Sequence, residues 1–130
     1  MGLAVLPYIQ EIIEGRKKVV DFYNKNLDFS KLKTIKLREN TEWNYSYYPI
    51  LFNTEDALLK AQKKLNEAEI FPRRYFYPSL NTLNYINKTA MPVSESIAAR
   101  ILCLPLYKDL HENDLNQIIK IINSIVLGNE

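Results

Sequence analysis

A chain of 130 residues, 47% of them apolar and with nine tyrosines and five phenylalanines, is long enough for one domain with a true core and short for two. Seventeen basic residues against fifteen acidic ones leave a net charge of +2, interspersed along the chain, which indicates neither a nucleic-acid groove nor a disordered charged tail. One cysteine excludes an internal disulfide, one histidine leaves a His-x-x-x-His zinc site unsupported, and three glycines cannot build a phosphate-binding glycine loop.

The run from Gly2 to about Asn26 predicts an amphipathic helix. Leu6, Ile9, Ile13, Val20 and Tyr23 recur at three- and four-residue intervals, while Glu11, Glu14, Arg16, Lys17 and Lys18 lie mostly off that stripe. Pro7 falls in the first turns, where proline is tolerated best. The apolar stretch from Met1 to Ile9 is too short for a membrane span and lacks the basic segment of a secretory signal, so the expected location is the cytoplasm, with no membrane partner. No capping residue precedes this helix, which hints at a cut chain.

A β-rich middle follows. Lys33 to Leu37 is a short strand candidate and Tyr45 to Phe52 a stronger one, in which Pro49 suggests an edge or a bulge. Thr54 is placed to cap a helix with Glu55 and Asp56 in its first turn, an inward stripe of Ala57, Leu58, Ala61 and Leu65, and an end near Glu69. Arg73 to Tyr77 (RRYFY) is expected to return to the sheet as a strand. Pro78 to Pro92 reads as loop, Ser94 to Arg100 as a short helix, and Ile101 to Leu106 (ILCLPL) as a buried extended run. A last helix, Glu112 to Leu127, turns Leu115, Ile118, Ile119, Ile122 and Val126 inward. The order α-β-β-α-β-loop-α-β-α predicts a single α+β domain over 1–130, with a small, mainly antiparallel sheet covered by helices.

Catalytic patterns are sparse. Cys103 and His111 could in principle form a dyad, but Cys103 sits inside ILCLPL, where a buried inert thiol is expected, and His111 stands at the start of the last helix, which suits a capping or surface role. No metal site is expected. The Arg73-Arg74 pair followed by Tyr75, Phe76 and Tyr77 has two readings. It is either a platform that grips phosphate and stacks a base, or a strand whose alternate aromatics are core. Alternation would put Arg73, Tyr75 and Tyr77 on one face and Arg74 with Phe76 on the other.

Ile70 to Ile86, IFPRRYFYPSLNTLNYI, followed by Met91 to Ile122, MPVSESIAARILCLPLYKDLHENDLNQIIKII, closely resembles the C-terminal part of the DegT/DnrJ/StrS family of pyridoxal-phosphate (PLP) aminotransferases, which act on nucleotide-linked keto sugars. The opening run, MGLAVLPYIQEIIEGRKKVVDFYNKNL, is similar to the long helix that enters the family's small domain, so Met1 is read as an internal methionine of a longer protein. The resemblance covers essentially the whole chain. It implies the small C-terminal domain of a fold-type I PLP transferase.

What this implies for chemistry is mostly negative. The family's large domain supplies the imine-forming lysine, the aspartate at the pyridine nitrogen and the phosphate contacts, and none of the twelve lysines here sits in a matching context. No catalytic and no cofactor-binding residue is therefore expected in this chain, and PLP belongs to the full-length parent only. The implied contribution is to the substrate: Tyr77, Pro78 and Asn81 face the cleft, with Arg73 or Arg74 near the diphosphate. Many members carry histidine where Asn81 stands. An amide there can hydrogen-bond a sugar hydroxyl or carbonyl but cannot shuttle a proton. The departure is read as the mark of a subgroup acting on deoxythymidine-linked hexoses.

The implied partners are the parent's large PLP-binding domain, a nucleotide-linked keto sugar and, for the isolated chain, a second copy in a homodimer. The bare apolar side of the first helix and of ILCLPL would drive that pairing. The rival reading is a stand-alone α+β module binding nucleotide or RNA on the Arg73–Tyr77 strand.

Overall fold

The computed structural model describes residues 2–87 and 89–128; Met1, on which the internal-methionine reading rests, lies outside them. The opening helix is interrupted at its proline. Helix α1 (Gly2–Val5) passes through one tight 3-10 turn at Leu6–Tyr8 into α2 (Ile9–Asn26). The expected single helix is corrected here: Pro7 has no N–H for the ladder and its ring crowds the preceding turn, so the backbone tightens for one turn before resuming.

Three strands form one antiparallel sheet in the order β1 (Leu32–Thr34), β2 (Tyr48–Phe52), β3 (Ile101–Leu104). β1 pairs Leu32 with Phe52 and Thr34 with Ile50; β2 pairs Tyr48 with Leu104 and Leu51 with Ile101. The expectation that Pro49 marks an edge is corrected, because β2 is the central strand. The Thr34 hydroxyl donates to the Pro49 carbonyl at 3.0 Å, so the polar groups of residue 49 face β1. With no N–H on that side, the ladder stops there and β1 ends at Thr34 instead of Leu37.

β2 also starts later than expected. Asn44 accepts hydrogen bonds from the Ser46 amide (3.1 Å) and hydroxyl (2.7 Å), and Tyr45 takes φ +51°, so an Asx turn occupies the first residues of the run.

Helix α3 (Glu55–Glu67) is capped as expected by Thr54, whose hydroxyl accepts from the Ala57 amide at 3.2 Å. α4 (Pro92–Arg100) leads directly into β3, and α5 (Glu112–Leu127) ends on Gly128 at φ +73°, a left-handed C-cap. His111 is the N-cap residue of α5, but its side chain makes no capping bond.

The core joins Val19, Val20 and Tyr23 of α2, Leu58, Ala61 and Leu65 of α3, and Leu115, Ile118, Ile119, Ile122 and Val126 of α5 to Tyr48, Ile50 and Phe52 of β2 and Leu102 and Leu104 of β3. The α5 residues are the stripe read from the sequence, and the α3 residues are that stripe less the half-buried Ala57. Of the stripe read for the first helix only Val20 and Tyr23 are buried, while Leu6 and Ile9 are exposed and Val19 takes a core place that was not expected. Tyr23 and Tyr48 stack at the centre of the core, 4.8 Å between centroids, each with its hydroxyl satisfied: Tyr23 donates to the Pro105 carbonyl (3.0 Å) and Tyr48 to Asn24 Oδ1 (2.7 Å). Asn123 of α5 ties down the end of α2, accepting from the Asp28 amide (2.8 Å) and donating to the Asn26 carbonyl (2.9 Å).

Candidate functional site

Arg73 meets the free edge of β3. It makes one antiparallel bridge there, its amide donating to the Cys103 carbonyl (3.1 Å) and its carbonyl accepting from the Cys103 amide (2.8 Å). The pairing goes no further, so the expected Arg73–Tyr77 strand is corrected to a single bridge followed by a turn. Arg74 bends the chain away, donating to the Ala99 carbonyl and to Glu55, both at 2.9 Å, while its guanidinium lies 3.5 Å from the centroid of the Tyr77 ring. Arg73 donates to the Tyr75 hydroxyl at 2.7 Å. Each arginine therefore holds an aromatic from its own turn, and no alternating platform of the kind a nucleotide- or RNA-binding strand would need is formed.

Two cavities flank Tyr75. The larger, about 780 Å³, is mainly apolar and is lined by Tyr75, Phe76, Leu80, Met91, Val93 and Ile97, with Ser79, Asn81 and Ser94 as its polar members. The smaller, about 340 Å³, is lined by Tyr47, Phe71, Arg73, Tyr75, Cys103 and Tyr107. Of the residues singled out in the sequence, Asn81 thus lines the larger cavity and Arg73 the smaller. Arg74, Tyr77 and Pro78 line neither: Arg74 is largely covered, whereas Tyr77 and Pro78 are exposed beside it.

The polar rim of the larger cavity is one connected network. The buried Ser79 hydroxyl donates to Asn81 Oδ1 (2.6 Å) and lies 3.1 Å from the Ser94 hydroxyl. Asn81 Nδ2 donates to the Thr89 carbonyl (2.8 Å) and to Glu95 (2.6 Å), and the Met91 amide donates to the same Glu95 oxygen (2.9 Å). The Met91 amide first, and the Asn81 amide second, hold the Glu95 carboxyl below its ordinary range. Ser79, Ser94 and Glu95 were not singled out in the sequence; a serine two residues before Asn81 and a Ser-Glu pair in the first turn of a helix were the available signals.

Cys103, the bridge partner of Arg73, is buried, and burial raises its thiol pKa, which is the environment of an inert cysteine. Cys103 lies in β3, whose residues 102–104 are buried against the core, so the expectation that ILCLPL is bare is corrected. Bare apolar surface lies instead at the opening turns, on Leu3, Val5, Leu6, Tyr8 and Ile9.

Among the described residues no helix is long and apolar enough to cross a membrane, and no group of three His, Cys, Asp or Glu side chains could hold a metal ion.

The sequence profile of the DegT/DnrJ/EryC1/StrS aminotransferase family matches residues 1–123. The chain belongs to that family. Among curated relatives, the dTDP-4-amino-4,6-dideoxy-D-glucose transaminase of Escherichia coli is 32% identical over 130 residues, spanning 93% of this chain and 35% of that protein. Among solved structures, the aminotransferase TlmJ from Streptoalloteichus hindustanus superposes with a TM-score of 0.87 at 18% identity, over 99% of this chain and 35% of its own. A sugar aminotransferase from Streptococcus pneumoniae, solved in its PLP form, gives 0.84 at 19%, over 98% and 34%. The chain thus spans about a third of the length of these proteins, and its α+β architecture is that of a part of a DegT/DnrJ/EryC1/StrS aminotransferase.

The family is PLP-dependent, so the described residues can be tested against that group. An imine-forming lysine needs a pocket beside the cofactor ring. Neither cavity around Tyr75 is lined by a lysine, and every described lysine is exposed except Lys64, which is half-buried on α3. The two cavities around Tyr75 do not fit PLP, and no step of its chemistry is assigned to their residues.

Proposed function

We propose that this chain is the C-terminal, substrate-side domain of an aminotransferase that aminates a nucleotide-linked keto sugar, and that it is inactive alone. PLP, held by the parent's large domain, supplies the electron sink for amino transfer when bound. The residues of this chain bind and enclose the substrate. The supporting observation is the rim of the larger cavity, where Asn81 is presented on an ordered polar network beside apolar walls, in a chain belonging to a sugar-aminotransferase family.

The name of the Escherichia coli relative favours a deoxythymidine-linked 4-keto-6-deoxyhexose as the substrate, on a route to deoxyamino sugars or cell-surface polysaccharide. In this reading Asn81 meets the sugar, exposed Tyr77 and Pro78 border the cleft, and Arg73 faces the diphosphate as the arginine on a cavity wall. Arg74, engaged by Glu55, Ala99 and Tyr77, shapes the turn behind them.

The bare turns at Leu3, Leu6 and Tyr8 pack on the large domain in the parent and drive self-association of the isolated chain into a dimer. Sedimentation of the isolated chain as a clean monomer at high concentration would remove that last point.

The deciding assay mixes the purified chain with PLP, glutamate and dTDP-4-keto-6-deoxyglucose, in parallel with the full-length protein. Amino-sugar formation by the full-length protein alone is the expected result. A saturable Schiff-base absorption band together with amination by the 130-residue chain unaided would overturn the reading.

A further inference from the structure

Three neighbours fix the Asn81 side chain, and only one of them could tolerate its being turned over. Nδ2 donates to the Thr89 carbonyl at 2.8 Å and to Glu95 Oε1 at 2.6 Å; Oδ1 accepts from the Ser79 hydroxyl at 2.6 Å. A carbonyl and a carboxylate have no proton to give. An inverted amide would set its oxygen against both, whereas the Ser79 hydroxyl could rotate to suit either orientation. The stronger of the two constraints is Glu95, because its acceptor is charged. Glu95 is itself held in place by the Met91 amide at 2.9 Å, so the carboxylate joins the residue that opens α4 to the loop that carries Asn81.

The remaining valence of Asn81 can then be counted. A primary amide offers two N–H donors and two acceptor lone pairs. Both donors are occupied, and one lone pair takes the Ser79 proton. Among the described residues nothing takes the second lone pair of Oδ1, on a residue that lines the larger cavity.

We propose that Glu95 is a positioning residue that fixes Asn81 as a pure hydrogen-bond acceptor, so that Asn81 selects a donor group on the substrate, a sugar hydroxyl, and does not engage the keto oxygen. This rests on the assignment of Asn81 to the sugar side of the cleft. Of the two groups that an amide at this position could recognise, hydroxyl and carbonyl, the network around Glu95 leaves only the hydroxyl. Glu95 touches no reacting atom and acts through Asn81.

The first measurement follows the Asn81 side-chain amide protons by NMR in this chain, with exposed Asn40 as reference. They should exchange about tenfold more slowly than those of Asn40, lose that protection in Glu95→Ala, and regain most of it in Glu95→Gln, whose carbonyl oxygen can accept the same bonds. Unprotected Asn81 protons in the wild-type chain would overturn the proposal. Glu95 is only half-buried at the surface, so these variants leave the core intact.

The second measurement is steady-state kinetics of the full-length aminotransferase with dTDP-4-keto-6-deoxyglucose. Glu95→Ala should raise KM about tenfold with kcat within about threefold of wild type, and Glu95→Gln should restore KM to within about threefold. Asn81→Ala separates the two possible failures. If it raises KM while Glu95→Ala does not, the positioning role falls and the assignment of Asn81 to the substrate stands. If Asn81→Ala leaves KM unchanged, the assignment falls and the positioning role with it.

Discussion

The Arg74 guanidinium sits 3.5 Å from the centroid of the Tyr77 ring while donating to Glu55 and to the Ala99 carbonyl, so one side chain ties the turn after β3's edge to α3 and to the end of α4. The side chain is 13% exposed and Glu55 39%, so the ion pair itself contributes little and the stacked, hydrogen-bonded guanidinium most. Arg74→Ala should destabilise the domain by about 2 kcal/mol, seen as a lower urea midpoint at unchanged m-value. Arg74→Lys should recover less than half of that, since an ammonium cannot stack as a plane on the Tyr77 ring. Full recovery by lysine would mean that charge alone matters.

Gly15 lies in α2 against the loop after β3. A Cβ placed there would come 2.5 Å from Lys108 Cβ and 3.0 Å from Lys108 Cα, so the loop backbone itself must move. Alanine would ordinarily gain about 1 kcal/mol in a helix interior. Here the overlap should outweigh that gain, and Gly15→Ala should lower Tm, with a net cost of about 1 kcal/mol. A raised Tm would show that the loop gives way freely. Lys108 also pairs with Glu11 on the same helix, so the substitution should weaken that ion pair too.

Alkaline pH should unfold this domain through its central tyrosine pair. Burial, reinforced by Tyr48 and Tyr107, pushes the Tyr23 hydroxyl far above its ordinary range, and burial does the same to Tyr48. A folded-state pKa above the unfolded value means that the native state binds more protons. The stability from the neutral hydroxyls is therefore complete below the unfolded tyrosine pKa of about 10 and is lost as pH rises beyond it. Tm measured from pH 8 upward should be flat to about pH 10 and then fall, with tyrosinate absorbance from the buried pair appearing only with unfolding. Tyr23→Phe should flatten the alkaline limb and cost about 1 kcal/mol at neutral pH for the lost bond to Pro105. Ionisation of all nine tyrosines before any loss of structure would contradict this.

Cys103 should be slow to react in the native state. Only 7% of the residue is exposed and burial raises its thiol pKa, so the thiolate is scarce and shielded. Reaction with a disulfide reagent such as DTNB at pH 8 should be at least about a hundredfold slower than in urea, following global opening. Rapid labelling of the native protein would contradict this and show that the smaller cavity admits reagents to the thiol.

The three later helices and their inward faces were legible in the sequence because a 3.6-residue period needs only local information, whereas the first part of the opening helix's stripe, Leu6 and Ile9, is exposed. α3, α4 and α5 begin and end within two residues of expectation, and Leu58, Ala61, Leu65, Leu115, Ile118, Ile122 and Val126 are buried as read. Thr54 announced its cap in the same way. The α+β class followed from the order of elements, and the family from residue patterns spread along the chain.

The strand edges and the site depended on partners remote in sequence. RRYFY has every local mark of a strand, yet beyond Arg73 it has no ladder, because Glu55 and Ala99, which draw Arg74 away, are fixed by other parts of the fold. The place of Pro49 in a central strand depended on which neighbour its missing N–H would face. The orientation of the Asn81 amide was decided by Ser79, Thr89 and Glu95, joined by a loop whose closure composition does not encode. Periodicity determines which face of an element is apolar; only tertiary structure decides which polar valences remain for a ligand, because that count depends on every neighbour at once.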